Sequence, residues 1–262
     1  MNETALHTSD LVLVASLVIV NAALSLWLQL GLARSLLIAA TRTVVQLLLV
    51  GLLLKTVLSL QSAWLVGGVV LLMFGAASHE ILSRQERRLA GWWGFGLSTG
   101  STMAATLLAT TLALTALRPA SWLDARVLIP LLGIILGGVM NGVSLSLNTF
   151  QNSVQRDRAA IEARLTLGAT RHEALRPTLL RALRSGMIPI INQMSAAGII
   201  TLPGMMSGQI LAGMPAIEAA KYQILVLLLI AGGAGLGAMG ATLAAGHRLT
   251  DDRDRLRLDR LG

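Results

Sequence analysis

His79 and Glu80 are an imidazole beside a carboxylate, ligand types that several transition metals accept. On a helix, neighbouring side chains point roughly 100° apart, so the pair holds a metal only with outside help and otherwise sits at a membrane interface. Met194, Met205, Met206 and Met214 offer thioethers, which suit soft ions or simply fill packing gaps. Ser207 beside Gly208, with His247 far along the chain, is the nearest approach to a nucleophile and base. A base must stand about 3 Å from its nucleophile. These two fall near opposite faces of a bilayer whose apolar core is about 30 Å thick. No catalytic residue is expected. A phosphate-cradling loop needs Gly-Lys-Ser/Thr, and the only lysines, Lys55 and Lys221, follow Leu54 and Ala220. ATP is therefore not expected to bind this chain.

A second group consists of polar residues inside apolar runs, where an unpaired polar side chain is costly and tends to face a bundle interior or a pathway. Arg42 and Gln46 are one turn apart on one helical face, and Arg42 can alternatively snorkel to the interface. Asn141, Asn192 and Gln193 either line a pathway or hydrogen-bond between close-packed helices, for which Gly133, Gly137, Gly138 and Gly142 supply a small-residue surface. The stretch TLPGMMSGQILAG, Thr201 to Gly213, is apolar yet interrupted. In hydrocarbon such an interruption survives only where protein or a watery cavity covers it. Pro203, Gly204, Met205, Met206, Ser207 and Gly208 are accordingly gate candidates, with a passive kink as the alternative.

These residues need a scaffold, and composition names its class. With 54% apolar residues, 13% charged residues and a mean hydropathy of +0.70, the chain is expected to be an all-α polytopic membrane bundle. Spans are expected near 11–30, 35–54, 63–82, 94–117, 127–149, 187–212 and 222–245, about seven in one transmembrane domain over residues 1–262. Of the 21 Lys and Arg, 17 then fall on one side, leaving Lys55, Arg118, Arg126 and Lys221 on the other. The positive-inside rule makes the rich side cytoplasmic, with the N-terminus out and the C-terminus in. The net charge of +8 is thus a topology signal, and nucleic acid is not an expected partner. Asn2 to Asp10 is acidic, unlike the basic start of a cleavable signal, so the first span is expected to stay. Without cysteine, neither disulfides nor thiolate metal sites arise.

One segment looks water-exposed, about residues 152–186. Val154, Ile161, Leu165 and Ala169 recur at three- and four-residue spacing among charges, which predicts an amphipathic helix ended by Gly168. Thr170 and Glu173 form a capping box for a second helix, which Pro177 is expected to bend toward the membrane. Such a helix-elbow-helix either lies solvated at the interface or docks into a groove of a cytoplasmic partner. A basic tail, 247–262, closes the chain.

The segment EARLTLGATRHEALR resembles the coupling loop of ABC-transporter permeases. Together with RTVVQLLLVGLLLK, IPLLGIILGGVMNG, LTLGAT, TLPGMMSGQILAG and AAKYQILV, it resembles the bacterial FetB-type iron-exporter permeases, related to plant aluminium-tolerance permeases, over about residues 35 to 245. The resemblance implies a multi-pass permease of the bacterial inner membrane that works as a homodimer among membrane lipid. ATP and Mg would be bound by a separate cytoplasmic ABC ATPase subunit. Glu162, Ala163, Gly168, Ala169 and Thr170 would form the coupling loop. The cargo implied is iron or a related metal, as ion or complex; an organic cargo such as a nucleotide sugar, or a channel or scaffold outside the ABC class, are the alternatives.

Overall fold

The computed structural model describes residues 8–60, 62–89, 91–251 and 253–261. Most of the acidic stretch from Asn2, and Asp252 and Gly262 of the basic tail, therefore lie outside the described residues. The described chain is helical, with only isolated bridges between extended residues, and it divides into two compact units.

The first unit is a helical hairpin of α1, Thr8–Trp27, and α2, Ala33–Leu60. Its turn uses left-handed backbone at Gln29 and Gly31, and the buried Ser25 hydroxyl accepts a hydrogen bond from Leu32 N at 3.0 Å. Most large apolar side chains of both helices are exposed in the single chain, as expected of surfaces that face lipid.

The second unit contains α3, Ala63–Ser83; α4, Trp92–Leu117; α5, Ala125–Arg156; α6, Arg158–Thr166; α7, Arg171–Ala196; α8, Gly204–Leu211; and α9, Ala216–Arg248. Among the described residues, six helices, all but α6, α7 and α8, are long and apolar enough to cross a membrane. At its centre is α5, whose Ile135, Val139, Val143, Leu147 and Phe150 are almost completely enclosed. Glycines set how closely the helices approach. A β-carbon on Gly138 would strike Ile230, one on Gly142 would come 3.1 Å from the Ala234 β-carbon, and one on Gly237 would come 2.9 Å from Val139. The small-residue surface expected on α5 thus seats α9 through Gly138 and Gly142, while Gly133 faces Met73 of α3 and Gly137 meets no neighbour.

The same contacts give the helix directions. Along α5 and α9, Gly138 pairs with Ile230, Gly142 with Ala234 and Phe150 with Gly246, so the two run parallel. Gly186 of α7 lies against Gly142 and Ser146, whereas Leu175 reaches Gly246, which makes α7 antiparallel to both. Ala109 and Ala105 of α4 lie beside Gly233 and Gly237, so α4 is also antiparallel to α9. Met73 near Gly133 and Arg84 bonded to Asn141 align α3 with α5. One end of this unit therefore gathers the C-termini of α3, α5 and α9 with the N-termini of α4 and α7, and there the arginines concentrate.

Two expectations about local structure change. The helix predicted from residue 152 is two helices: Val154 belongs to α5, and α6 starts anew after Asp157, which caps both. Helix α7 continues through Pro177 and Pro189. The interruption in the sixth segment begins at Ala197 and not at Pro203; Pro203 and Gly204 instead start α8, which stays helical through Gly208. Pro lacks the N–H that a helix interior uses and so suits the start of a helix, where that missing N–H costs nothing.

Candidate functional site

The basic end carries the most clearly built feature. Parallel α5 and antiparallel α7, about 48 and 39 Å long at 1.5 Å per residue, outrun an apolar core of about 30 Å and hold α6 between their ends. Asp157 terminates α5 by donating its N–H to the Ser153 carbonyl at 2.9 Å, and its own carbonyl accepts from Ile161 N at 3.0 Å to begin α6. Its carboxylate pairs with Arg181 of α7 and with Arg156. Partial burial pushes the Asp157 carboxyl upward, but the hydrogen bonds and charges of these arginines win and hold it below the ordinary value. Ile161 is the buried anchor of α6.

A Schellman turn closes α6. Gly168 N donates to the Leu165 carbonyl at 3.1 Å and Ala169 N to the Arg164 carbonyl at 3.0 Å, with Gly168 at φ +91°. Thr170 then starts α7 through the expected capping box: Thr170 N donates to Glu173 Oε2 at 2.9 Å, and Glu173 N donates to the Thr170 hydroxyl at 3.4 Å. Only two residues separate the Leu167 cap from the Thr170 cap, so α6 is set at a fixed angle. Its inner side holds Ile161 and half-buried Leu165, as the spacing predicted. Its outer side exposes Ala159, Ala163 and Leu167, one turn apart, beside the half-buried Glu162, whose carboxylate accepts from Arg158 at 2.8 Å. Leu167 is 87% exposed. The sequence reading missed Asp157, Arg181 and Leu167; the i, i+4 spacing of Ala159, Ala163 and Leu167 was a legible signal for an apolar outer stripe.

The Thr170 backbone N–H, and then its hydroxyl, hold the Glu173 carboxyl below the ordinary carboxylate range. A depressed carboxylate lends stability that is complete above the unfolded value and lost as pH falls through the folded one. Protection of the Ala174 and Leu175 amides, taken relative to an unstructured chain at the same pH, is therefore expected to be full above the ordinary carboxylate range and to fall on acidification through it, an effect absent in Glu173→Gln. Equal exchange in the two proteins at pH 6 would contradict the box.

The pathway candidates do not form one cluster. Asn141 accepts a hydrogen bond from Arg84 at 2.8 Å, tying α5 to the basic end of α3. Asn192 and Gln193 are exposed in the last turns of α7. In the first unit, Arg42 and Gln46 line one side of a cavity of about 410 Å³ with Leu37, Ile38, Thr41 and Val45, as one-turn spacing required. The segment between α7 and α8 is a self-satisfied turn: Gly198, at φ +85°, donates to the Thr201 carbonyl at 2.9 Å, while Ile200 and Thr201 donate back to Ala196. That internal pairing is what a break in an apolar setting demands. Pro203, Met205, Met206 and Ser207 are half-buried, Gly204 and Gly208 exposed, and α8 packs on α9.

Several buried polar atoms lack partners. They include the hydroxyls of Thr99, Thr102, Thr106 and Thr110 on α4, and the amide oxygens of Gln209 on α8 and Gln223 on α9. The threonines recur at three- and four-residue spacing along one face, a signal present in the sequence and not used there. His79 is exposed while Glu80 turns to Arg84 at 3.1 Å, so the adjacent pair diverges as helical geometry requires. No group of three or more His, Cys, Asp or Glu converges among the described residues. Ser207 and His247 lie toward opposite ends of α9, which is about 50 Å long at 1.5 Å per residue.

Residues 8–250 match the family model described as "Uncharacterised protein family (UPF0014)". The chain belongs to that family. The UPF0014 membrane protein slr1647 of Synechocystis is 37% identical over 212 residues, which cover 79% of this chain and 80% of that relative. The probable iron export permease protein FetB of Escherichia coli is 28% identical over 98% of this chain and 97% of its own. Protein ALUMINUM SENSITIVE 3 of Arabidopsis thaliana is 26% identical over 87% and 82% respectively. No solved structure matches the chain. The UPF0014 match extends across α6 and its elbow as well as the membrane helices, so the helical membrane protein and the family expected from the motifs are both borne out.

Proposed function

We propose that this UPF0014 chain is the membrane subunit of an ABC exporter for iron or an iron complex, driven by a separate cytoplasmic ATPase that binds ATP and Mg. The observation that carries this reading is α6: a short helix fixed at the basic end of the bundle by Asp157–Arg181 and the Gly168 turn, presenting Ala159, Ala163 and Leu167 outward. Small side chains along one stripe let a helix enter a groove closely, and the rigid elbow passes motion of the groove to α5 and α7. Similarity to FetB supplies the iron export half of the proposal. Two copies of the chain form the permease, in the bacterial inner membrane.

The cargo meets hydroxyls and amides more than charged ligands. The unpartnered oxygens of Thr102, Thr106, Gln209 and Gln223 suit a metal complex or a polar organic molecule, and this favours a second reading in which the cargo is organic, such as a nucleotide sugar. ATP hydrolysis by the permease–ATPase pair in liposomes separates the two. Stimulation by ferrous iron supports the metal reading; stimulation by nucleotide sugars alone replaces it.

The membrane path follows from helix direction. Since α5 and α9 run parallel, the chain from the basic end of α7 to the start of α9 makes one net traverse, supporting a seventh crossing built from α7, the Ala197–Pro203 turn and α8. Reporters fused to the two ends of the chain are expected on opposite sides, the C-terminal one cytoplasmic. Two reporters on one side would remove the seventh crossing.

A further inference from the structure

A cavity of about 670 Å³ opens between the basic ends of α4 and α9, apart from α6. Gly96, Leu97 and Ala244 line its part nearer the bundle centre, and Trp93, Arg248 and Arg260 line the part at the helix ends. The Arg248 guanidinium lies over the Trp93 ring, 4.7 Å from its centroid, which spreads its charge across an apolar surface. Arg260 reaches the cavity because the tail folds back: Arg257 N donates to the Leu249 carbonyl at 2.8 Å, and Arg260 Nη1 donates to the Arg248 carbonyl at 2.8 Å. Asp251 also borders the space, but its carboxylate accepts from Arg255 N at 2.8 Å and Arg253 N at 3.0 Å. Those backbone bonds, Arg255 first, keep Asp251 ionised below the ordinary carboxylate range and occupy its charge within its own turn. The cationic side chains are thus left as the dominant charge at the mouth.

Apolar inside, cationic at the rim and marked by an exposed tryptophan, this space has the polarity profile of a phospholipid at a membrane interface. We infer that the cavity binds one anionic phospholipid, its phosphate at Arg248 and Arg260 and an acyl chain along Gly96, Leu97 and Ala244. A free phosphate would use the rim but leave the apolar wall unfilled; a zwitterionic lipid would fill the wall but gain less from two arginines. The inference is independent of the cargo and of any ATPase.

Native mass spectrometry of the detergent-purified full chain, with phosphatidylglycerol and phosphatidylcholine of matched chains, tests it. Phosphatidylglycerol is expected to be retained preferentially, and its retention to fall ~5-fold for each of Arg248→Gln and Arg260→Gln. Arg253→Gln with Arg255→Gln, in the same tail but outside the cavity, should retain it as the parent does. Gly96→Leu keeps both arginines and fills the apolar wall; a β-carbon there meets no atom within 4 Å, so the variant is expected to fold and to lose the lipid. Gly96→Leu carries the test if the arginine variants fail to fold. Equal retention of phosphatidylcholine, or phosphatidylglycerol retention unchanged by Gly96→Leu, overturns the inference. Thermal stabilisation by inorganic phosphate equal to that by phosphatidylglycerol would also overturn it, assigning the rim to a free anion.

Discussion

Replacing Gly186 with leucine is expected to abolish recovery of folded protein from the membrane. A β-carbon at this position would overlap the Ser146 hydroxyl and approach the Gly142 carbonyl oxygen to 2.6 Å. Rotation could move the serine, but the carbonyl belongs to α5, the most enclosed helix of its unit. Helices α5 and α7 would have to separate, and α9, which packs on both, would lose its seat on Gly142. Overpacking of this kind costs about 3 kcal/mol or more, a large part of typical folding stability. Fluorescence-detected size exclusion after detergent extraction should show a monodisperse parent and an aggregated Gly186→Leu protein. Gly137→Leu, one turn from Gly133 on the same helix but with no atom near its β-position, should match the parent. Equal profiles for Gly186→Leu and the parent would mean that α5 and α7 do not pack this closely.

Gly168→Asp should act in the opposite manner, leaving the membrane bundle intact while disconnecting it from its motor. No atom lies within 4 Å of a β-carbon at Gly168, so the penalty is confined to its left-handed backbone, about 1 kcal/mol. That is enough to open the Schellman turn and swing α6, yet small against the burial of α5. Extraction and melting should therefore stay near the parent, whereas co-purification of the ATPase and transport should both be lost. Glu162→Lys should do the same by reversing the charge beside the exposed stripe and breaking the 2.8 Å contact with Arg158. Unchanged co-purification and transport in both variants would reduce α6 to a solvated linker.

Which features were legible in the sequence depended on how far their causes reach along it. Thr170 and Glu173 are three residues apart, and Gly168 follows an apolar period directly, so the box and the elbow could be read locally. The α5–α6 junction could not, because Asp157 is held by Arg181, 24 residues away. Asn141 was read as lining a pathway or bonding between helices, and its partner Arg84 lies 57 residues earlier, beyond the reach of local pattern. Pro203 drew the expected break to itself, although Gly198, with its left-handed backbone, was the better signal for the end of α7. The wider membrane segments were clear because length and apolarity are local sums. Their pairing was not, since Gly138, Gly142 and Gly186 look alike in sequence and meet different neighbours.

Because the chain contains no cysteine, a single one introduced at Leu167 tests directly whether α6 meets an ATPase. Leu167 is 87% exposed at the tip of α6, and Trp64, 91% exposed at the start of α3, provides a site away from the basic end. A photoreactive thiol probe at position 167 in intact bacterial membranes should yield one dominant adduct, an ABC ATPase subunit identified by mass spectrometry. The same probe at position 64 should yield none of it. If position 167 captures no ATPase, or captures it no better than position 64, the coupling role of α6 and the ATP-driven export built on it are contradicted.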